Sequence, residues 1–86
     1  MMLRRSREEI LYGILKACSS DGMSIYQLMV SLNLPHNSLK SYLDQLEGSK
    51  LIAIEVEEAR KTITTTEEGI KTVSLYRDAI SRLKRH

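Results

Sequence analysis

The stretch SIYQLMVSLNLPHNSLKSYLDQL, from Ser24 to Leu46, decides how the rest of the chain must fold. Ile25, Leu28, Met29 and Leu32 recur at helical spacing in its first half, and Leu39, Tyr42, Leu43 and Leu46 repeat that spacing in its second. Between them stands Asn33-Leu34-Pro35. Proline has no amide hydrogen and restricts the residue before it, so one helix stops near Asn33 and another starts at Pro35 or His36. Two amphipathic helices joined by so short a corner must cross, with both apolar faces turned to one core, which is a helix-turn-helix. The second helix keeps a polar face of Asn37, Lys40, Ser41 and Asp44, the face such units usually offer to the DNA major groove.

Around this unit, 86 residues make one domain with a small core, for which extra stability from a partner subunit is expected. The hydrophobic share of 42% and charged share of 28% belong to a globular chain rather than a disordered one. No apolar run approaches the roughly 20 residues of a membrane span, and the opening MMLRRSREE lacks the apolar segment of a signal peptide. A cytoplasmic protein without a membrane partner is expected. The single cysteine, Cys18, has no intrachain disulfide partner and falls on the apolar side of a helix, where a small buried residue explains it better than a reactive thiol.

Charge is informative by its distribution. The net charge is +2, yet residues 1–7 carry Arg4, Arg5 and Arg7 with no acid, and residues 77–86 carry Arg77, Arg82, Lys84 and Arg85 against Asp78. The middle of the chain is slightly acidic. Phosphate neutralisation supplies most non-specific DNA affinity, so basic ends would provide much of the attraction to a nucleic acid.

From the amino end, Ser6 with Glu9 forms a capping box that starts a helix near Arg7, with Ile10, Leu11, Ile14, Leu15 and Cys18 as its inward stripe. Gly13 interrupts that stripe, through close approach of another backbone or by lying exposed. Ser19-Ser20-Asp21-Gly22 reads as a turn. Met23 reads as a residue or two of strand, and Ser24 with Gln27 is a second capping box that opens the next helix. The third helix ends near Gly48, where a residue without a Cβ can take the left-handed conformation. The period then changes to two. Ile52, Ile54 and Val56 alternate with Ala53 and Glu55, and Lys61 to Thr65 alternate again around Ile63. Placing Ile54 opposite Ile63 sets Val56 opposite Lys61 and leaves four residues as a loop, giving a short hairpin, or wing.

Thr65 or Thr66 caps a last helix, with Glu67 and Glu68 at its positive end. It runs from Glu67 to about Arg85, roughly 28 Å at 1.5 Å per residue. Ile70 and Val73 can cover the domain, whereas Tyr76, Ile80 and Leu83 continue the stripe beyond it. The 3-4-3 spacing of Val73, Tyr76, Ile80 and Leu83 matches a coiled-coil seam of about two heptads. A homodimer joined through this helix is expected, and a helix folded back on its own domain is the alternative. The fold class is therefore mainly α with a small β-hairpin (α+β): helix, short strand, helix, helix, two hairpin strands and a long C-terminal helix. Residues 1–66 form the DNA-binding unit and 67–86 the dimerisation helix.

This order is the winged helix-turn-helix plan. The stretches REEILYGILKAC, NLPHNSLKSYLDQL, GSKLI and TITTTEEGI, which together span nearly the whole chain, resemble small archaeal winged-helix DNA-binding proteins that dimerise through an antiparallel coiled coil of their last helix. The resemblance implies sequence-selective or architectural DNA binding, with two third helices and two wings facing one duplex. The chain departs from that family, whose third helix and wing are commonly basic, in setting Asp44 beside Lys40 and Glu57 and Glu58 beside Arg60 and Lys61.

Candidate DNA contacts follow. Asn37, Lys40 and Ser41, with His36 and Ser38, stand in the first turns of helix three, where side chains reach base edges, and Gln45 lies a turn further on. Asn and Gln can pair bidentately with adenine. His36 can meet a phosphate, Arg60 and Lys61 can hold the backbone from the wing, and Arg4, Arg5 and Arg7 form a basic arm. For each, the alternative is a solvated polar surface. An enzyme is not supported: one Cys, two separated His, no glycine-rich phosphate loop and no metal-ligand spacing offer no catalytic or cofactor site. The competing class is a winged-helix protein-docking module without intrinsic DNA binding, distinguished by the absence of salt-sensitive duplex binding.

Overall fold

The computed structural model describes residues 6–83. Its elements run α1 (Arg7–Ala17), α2 (Ile25–Leu32), α3 (His36–Gly48), β1 (Ile52–Glu57), β2 (Arg60–Thr65) and α4 (Glu67–Leu83). The expected winged architecture is present with two strands rather than three. Both expected capping boxes form: the Ser6 hydroxyl accepts from Glu9 N at 3.1 Å while Glu9 accepts from Ser6 N at 2.8 Å, and Ser24 and Gln27 repeat the exchange at 3.1 and 3.0 Å.

The segment expected as the first strand is a single antiparallel bridge. Met23 N donates to Ile63 O at 3.0 Å and Ile63 N to Met23 O at 2.8 Å. It extends no further because Ser24, the next residue, already caps α2. Gly22 permits the approach, since a Cβ there would stand 2.2 Å from a Thr62 methyl.

The corner forms as the sequence dictates. Asn33 closes α2 in the left-handed region (φ 55°), with Asn33 N bound to Val30 O and Leu34 N to Met29 O, and Pro35 precedes the first residue of α3. The end of α3 repeats this geometry at Lys50 (φ 63°), not at the expected Gly48. Lys50 N meets Glu47 O and Leu51 N meets Leu46 O, both at 3.0 Å, while Gly48 stays helical. The left-handed residue is the one that turns Leu51 back against the core, and no atom crowds the Gly48 Cβ position to require glycine.

The hairpin has the expected register, Ile54 opposite Ile63 and Val56 opposite Lys61, but pairing continues to Glu57 and Arg60. The loop is therefore Glu58-Ala59 rather than four residues, with Glu58 left-handed (φ 57°). Opposite charges directly across the strands favour that extra pair.

One core joins all elements: Ile10, Ile14, Leu15 and Cys18 from α1, Leu28 from α2, Leu39, Leu43 and Leu46 from α3, Ile52 and Ile63 from the hairpin, and Val73 from α4. Two threonines lock the last helix to this body. Thr65 Oγ1 donates to Leu15 O at 2.7 Å, and Thr66 Oγ1 donates to Lys50 O at 2.8 Å while accepting from Gly69 N at 3.1 Å. The inward face of α4 is Gly69, Val73 and Tyr76. Ile70, expected to cover the domain, is 46% exposed because Gly69, one position earlier, presses its backbone against Leu51 O. Gly13 is half-buried beside the Leu32 side chain, a contact with a side chain rather than with another backbone.

Candidate nucleic-acid interface

The face that α3 turns away from the core is open. Leu39, Leu43 and Leu46 are buried at 0, 2 and 3% exposure and fix the rotation of the helix. That rotation leaves Asn37, Lys40, Ser41 and Asp44 exposed on the opposite side, with His36, Ser38 and Gln45 exposed at its flanks. The helix opens on Pro35 with no side-chain cap and no acid in its first turn, whereas α1 and α4 carry two glutamates each there. A peptide dipole with its positive end uncompensated favours an approaching phosphate over a carboxylate.

Charge on this face is mixed. Lys40 Nζ lies 3.6 Å from Asp44 Oδ2 one turn on, and both side chains are nearly two-thirds exposed. Such a pair contributes little to stability, but it divides the lysine's positive field between Asp44 and any phosphate. Arg7 stands at the edge of the same face, where its guanidinium donates to the Gln45 side-chain oxygen across 38 positions of sequence. Arg7 is the first residue of α1, held by the Ser6 cap, and not part of a free arm. Arg4 and Arg5 lie outside the described residues.

The wing separates its two cations. Residues paired across the ladder share a face, so Arg60 sits with Glu55, Glu57 and Thr62, while Lys61 shares the core-side face with Val56, Ile54 and Ile63. Both are exposed, and with Ser24, Ile25 and Ala59 they line a shallow cleft where the wing meets the start of α2.

Of the four residues expected in a dimer seam, two are occupied within the chain. Val73 is 8% exposed, and the Tyr76 ring packs on Tyr12 of α1. Ile80 is half-exposed and Leu83 is 71% exposed. Sequence reading passed over Leu75, which is 70% exposed and begins a row, Leu75, Ala79, Leu83, beside the core-facing one. Its four-residue spacing was the available signal. No comparable signal announced the Arg7–Gln45 contact. Cys18 is buried at 2% exposure, and desolvation pushes its thiol up to about 11, in keeping with a packing role. Among the described residues, no group of acidic, His or Cys side chains is placed to hold a metal ion, and no helix is long and apolar enough to cross a membrane.

A helix-turn-helix with a free third helix, a two-stranded wing and a closing helix defines a winged-helix domain. The chain belongs to the winged helix-turn-helix family, which it matches over residues 4–84. Among solved structures, Sso10a-2, a DNA-binding protein from Sulfolobus solfataricus, superposes with a TM-score of 0.75 at 25% identity, covering 95% of this chain and 99% of that one. MepR from Staphylococcus aureus, in a complex with DNA, superposes at 0.76 and 26% identity, over 93% of this chain and 68% of that one. The transcriptional regulator BldR from Sulfolobus solfataricus superposes at 0.80 with 18% identity over 86% of this chain, a likeness of fold alone. The chain spans a little over half of BldR's length, 55%. No curated protein matches the chain by sequence.

Proposed function

We propose that the protein is a DNA-binding transcription regulator that binds duplex DNA as a homodimer, with α3 in the major groove and the wing on the sugar-phosphate backbone. The observation that carries this reading is the uncovered outer face of α3: Asn37, Lys40 and Ser41 are all exposed, on a helix whose rotation is fixed by three buried leucines. Hydrogen-bonding side chains on a rigid helix are what base reading requires. The DNA-bound MepR and the DNA-binding Sso10a-2, both of this fold, support it. Arg7 supplies a cation at the edge of that face and Arg60 and Lys61 supply cations on the wing, and Arg4 and Arg5 add charge next to Arg7 in the sequence.

The dimer forms through α4. Its contacts are Ile80 and Leu83 of the expected seam together with Leu75, because Val73 and Tyr76 already pack inside the protomer. Two linked reading helices would engage two half-sites, which compensates for the modest charge of each. Such a regulator works in the cytoplasm, beside the chromosome, and needs neither cofactor nor catalytic group.

Gel-shift titration of a duplex pool at two salt concentrations, with light scattering in parallel, tests this reading. Binding that weakens steeply with salt, by a particle of dimer mass, is the expected result. No mobility shift at low salt would rule it out. A second reading, a protein-docking module, draws on the acidic wing, where Glu55, Glu57 and Glu58 are exposed together with Val56. It predicts no duplex binding at low salt and a stable complex with a protein partner, which survives combined substitution of Lys40 and Arg60 only where the docking face is neither the wing nor α3.

A further inference from the structure

The Arg7–Gln45 contact joins the first residue of α1 to the flank of the reading helix, and its chemistry is one-directional. A guanidinium has only donors, so the atom of Gln45 turned towards Arg7 is the carboxamide oxygen. The amide nitrogen, with two N–H donors, then faces away from Arg7. Both partners are anchored through backbone: Arg7 by the Ser6–Glu9 capping box, and Gln45 by its place between the buried Leu43 and Leu46. Glu9 is engaged with Ser6 N, and Arg7 enters neither of the two ion pairs found among the described residues.

We propose that Arg7 is a positioning residue for sequence reading: by holding the oxygen of Gln45 it makes that side chain a donor, selecting guanine or thymine over adenine at one base pair. Adenine recognition by glutamine needs the oxygen and the nitrogen of one carboxamide to face the same base edge; the Gln45 oxygen keeps a second lone pair, but its bond to Arg7 turns it away from the edge that the nitrogen faces. Guanine N7 and O6, or thymine O4, present acceptors to the free NH2. The remaining N–H groups of Arg7 stay available to a neighbouring phosphate. This inference rests on the DNA-binding reading above and narrows it to one position of the site.

The test is selection from a randomised duplex pool, at fixed salt, by the wild-type full chain and by Arg7→Ala, Arg7→Lys and Gln45→Ala. All three changes are at exposed positions, so folding is retained. The wild type is expected to prefer guanine or thymine at one position that Gln45→Ala leaves unread. Arg7→Ala is expected to shift that position towards adenine by roughly tenfold while leaving the others unchanged. A uniform loss of affinity in Arg7→Ala with every preference intact, restored by Arg7→Lys, would mean that Arg7 only attracts phosphate and would overturn the proposal. So would preferences indifferent to Gln45→Ala. Both results leave DNA binding standing, whereas failure of the wild type to retain any duplex removes the parent reading as well.

Discussion

The rings of Tyr12 and Tyr76 meet with centroids 4.9 Å apart and planes inclined at 39°, fastening α4 to α1 within one protomer. Tilted aromatic pairs contribute about 0.5–1.5 kcal/mol beyond the area they bury. Tyr76→Ala should therefore lower unfolding stability by at least about 1 kcal/mol. Tyr76→Phe, which keeps the ring, should cost little. Because the contact is internal, the stability difference between Tyr76→Ala and wild type should be the same at low and high protein concentration in urea titrations. A difference that grows with concentration would instead place Tyr76 in the contact between copies.

Lys40 shares its charge with Asp44 at 3.6 Å, on the face proposed to meet DNA. Asp44→Asn removes that competition and a carboxylate that would repel phosphate, so it should tighten duplex binding several-fold. Lys40→Ala should weaken binding and reduce the salt slope of the dimer by about 1.8, the share of two phosphate contacts, one from each copy. Neither should change the melting temperature appreciably, since an exposed i,i+4 pair is worth only about 0.3–0.5 kcal/mol. Equal affinities for all three proteins would remove Lys40 from the interface.

Local rules made most of this fold legible. The two capping boxes, the proline corner and the change from helical to alternating period each depend on neighbours in sequence, and each formed where those neighbours dictate. What escaped was decided by distant contacts. Lys50 rather than Gly48 took the left-handed turn because Leu51 had to reach the core, and Ile70 faced solvent because α4 seats Gly69 on Leu51 O. Tyr76 resembled a seam residue until α1 supplied Tyr12. For the site, residue types along α3 showed which side would be polar, but that Arg7 flanks Gln45 depends on how α1 crosses α3.

Gly69 is the tightest junction of α4 with the body. A Cβ there would lie 2.2 Å from Leu51 O and 2.5 Å from a Thr65 methyl, and a backbone carbonyl cannot swing aside. Gly69→Ala should consequently destabilise the fold by about 1–3 kcal/mol despite alanine's better helix propensity. Gly48→Ala, at a helical site with no heavy atom near, should instead be neutral or stabilising by up to about 1 kcal/mol. Thermal melts of the two variants check this contrast, and similar shifts in both would refute the packing argument.

Burial raises the Cys18 thiol from 9.0 to about 11, which ties stability to alkaline pH. Below about pH 9 the thiol is protonated in the folded and unfolded states alike, so its contribution is fully present. Between about 9 and 11 the unfolded chain loses a proton that the folded chain retains, and stability falls as pH rises. Cys18→Ala should show a shallower decline across that window in urea titrations, at the cost of a less well filled core. A thiol-specific reagent should modify Cys18 at pH 8 only as fast as the protein opens. Immediate modification of the native protein would contradict its burial.

Leu75 and Leu83 are 70 and 71% exposed on α4, with Ala79 between them in the same row. Apolar side chains at such exposure add little to a lone protomer, so their substitution separates assembly from folding. Leu75→Glu and Leu83→Glu should each leave the stability of an isolated protomer within about 0.5 kcal/mol. If α4 joins two copies, the paired substitution should halve the mass seen by light scattering, because buried glutamates from both copies would have to be desolvated or separated. DNA affinity should fall in step, since a protomer released from its partner engages one half-site without the gain in effective concentration. Val73→Glu, at a position packed inside the protomer, should instead unfold the chain. A dimer that persists in the paired variant would assign the contact to another surface, and a wild-type protein that is monomeric at high concentration would remove the dimer itself.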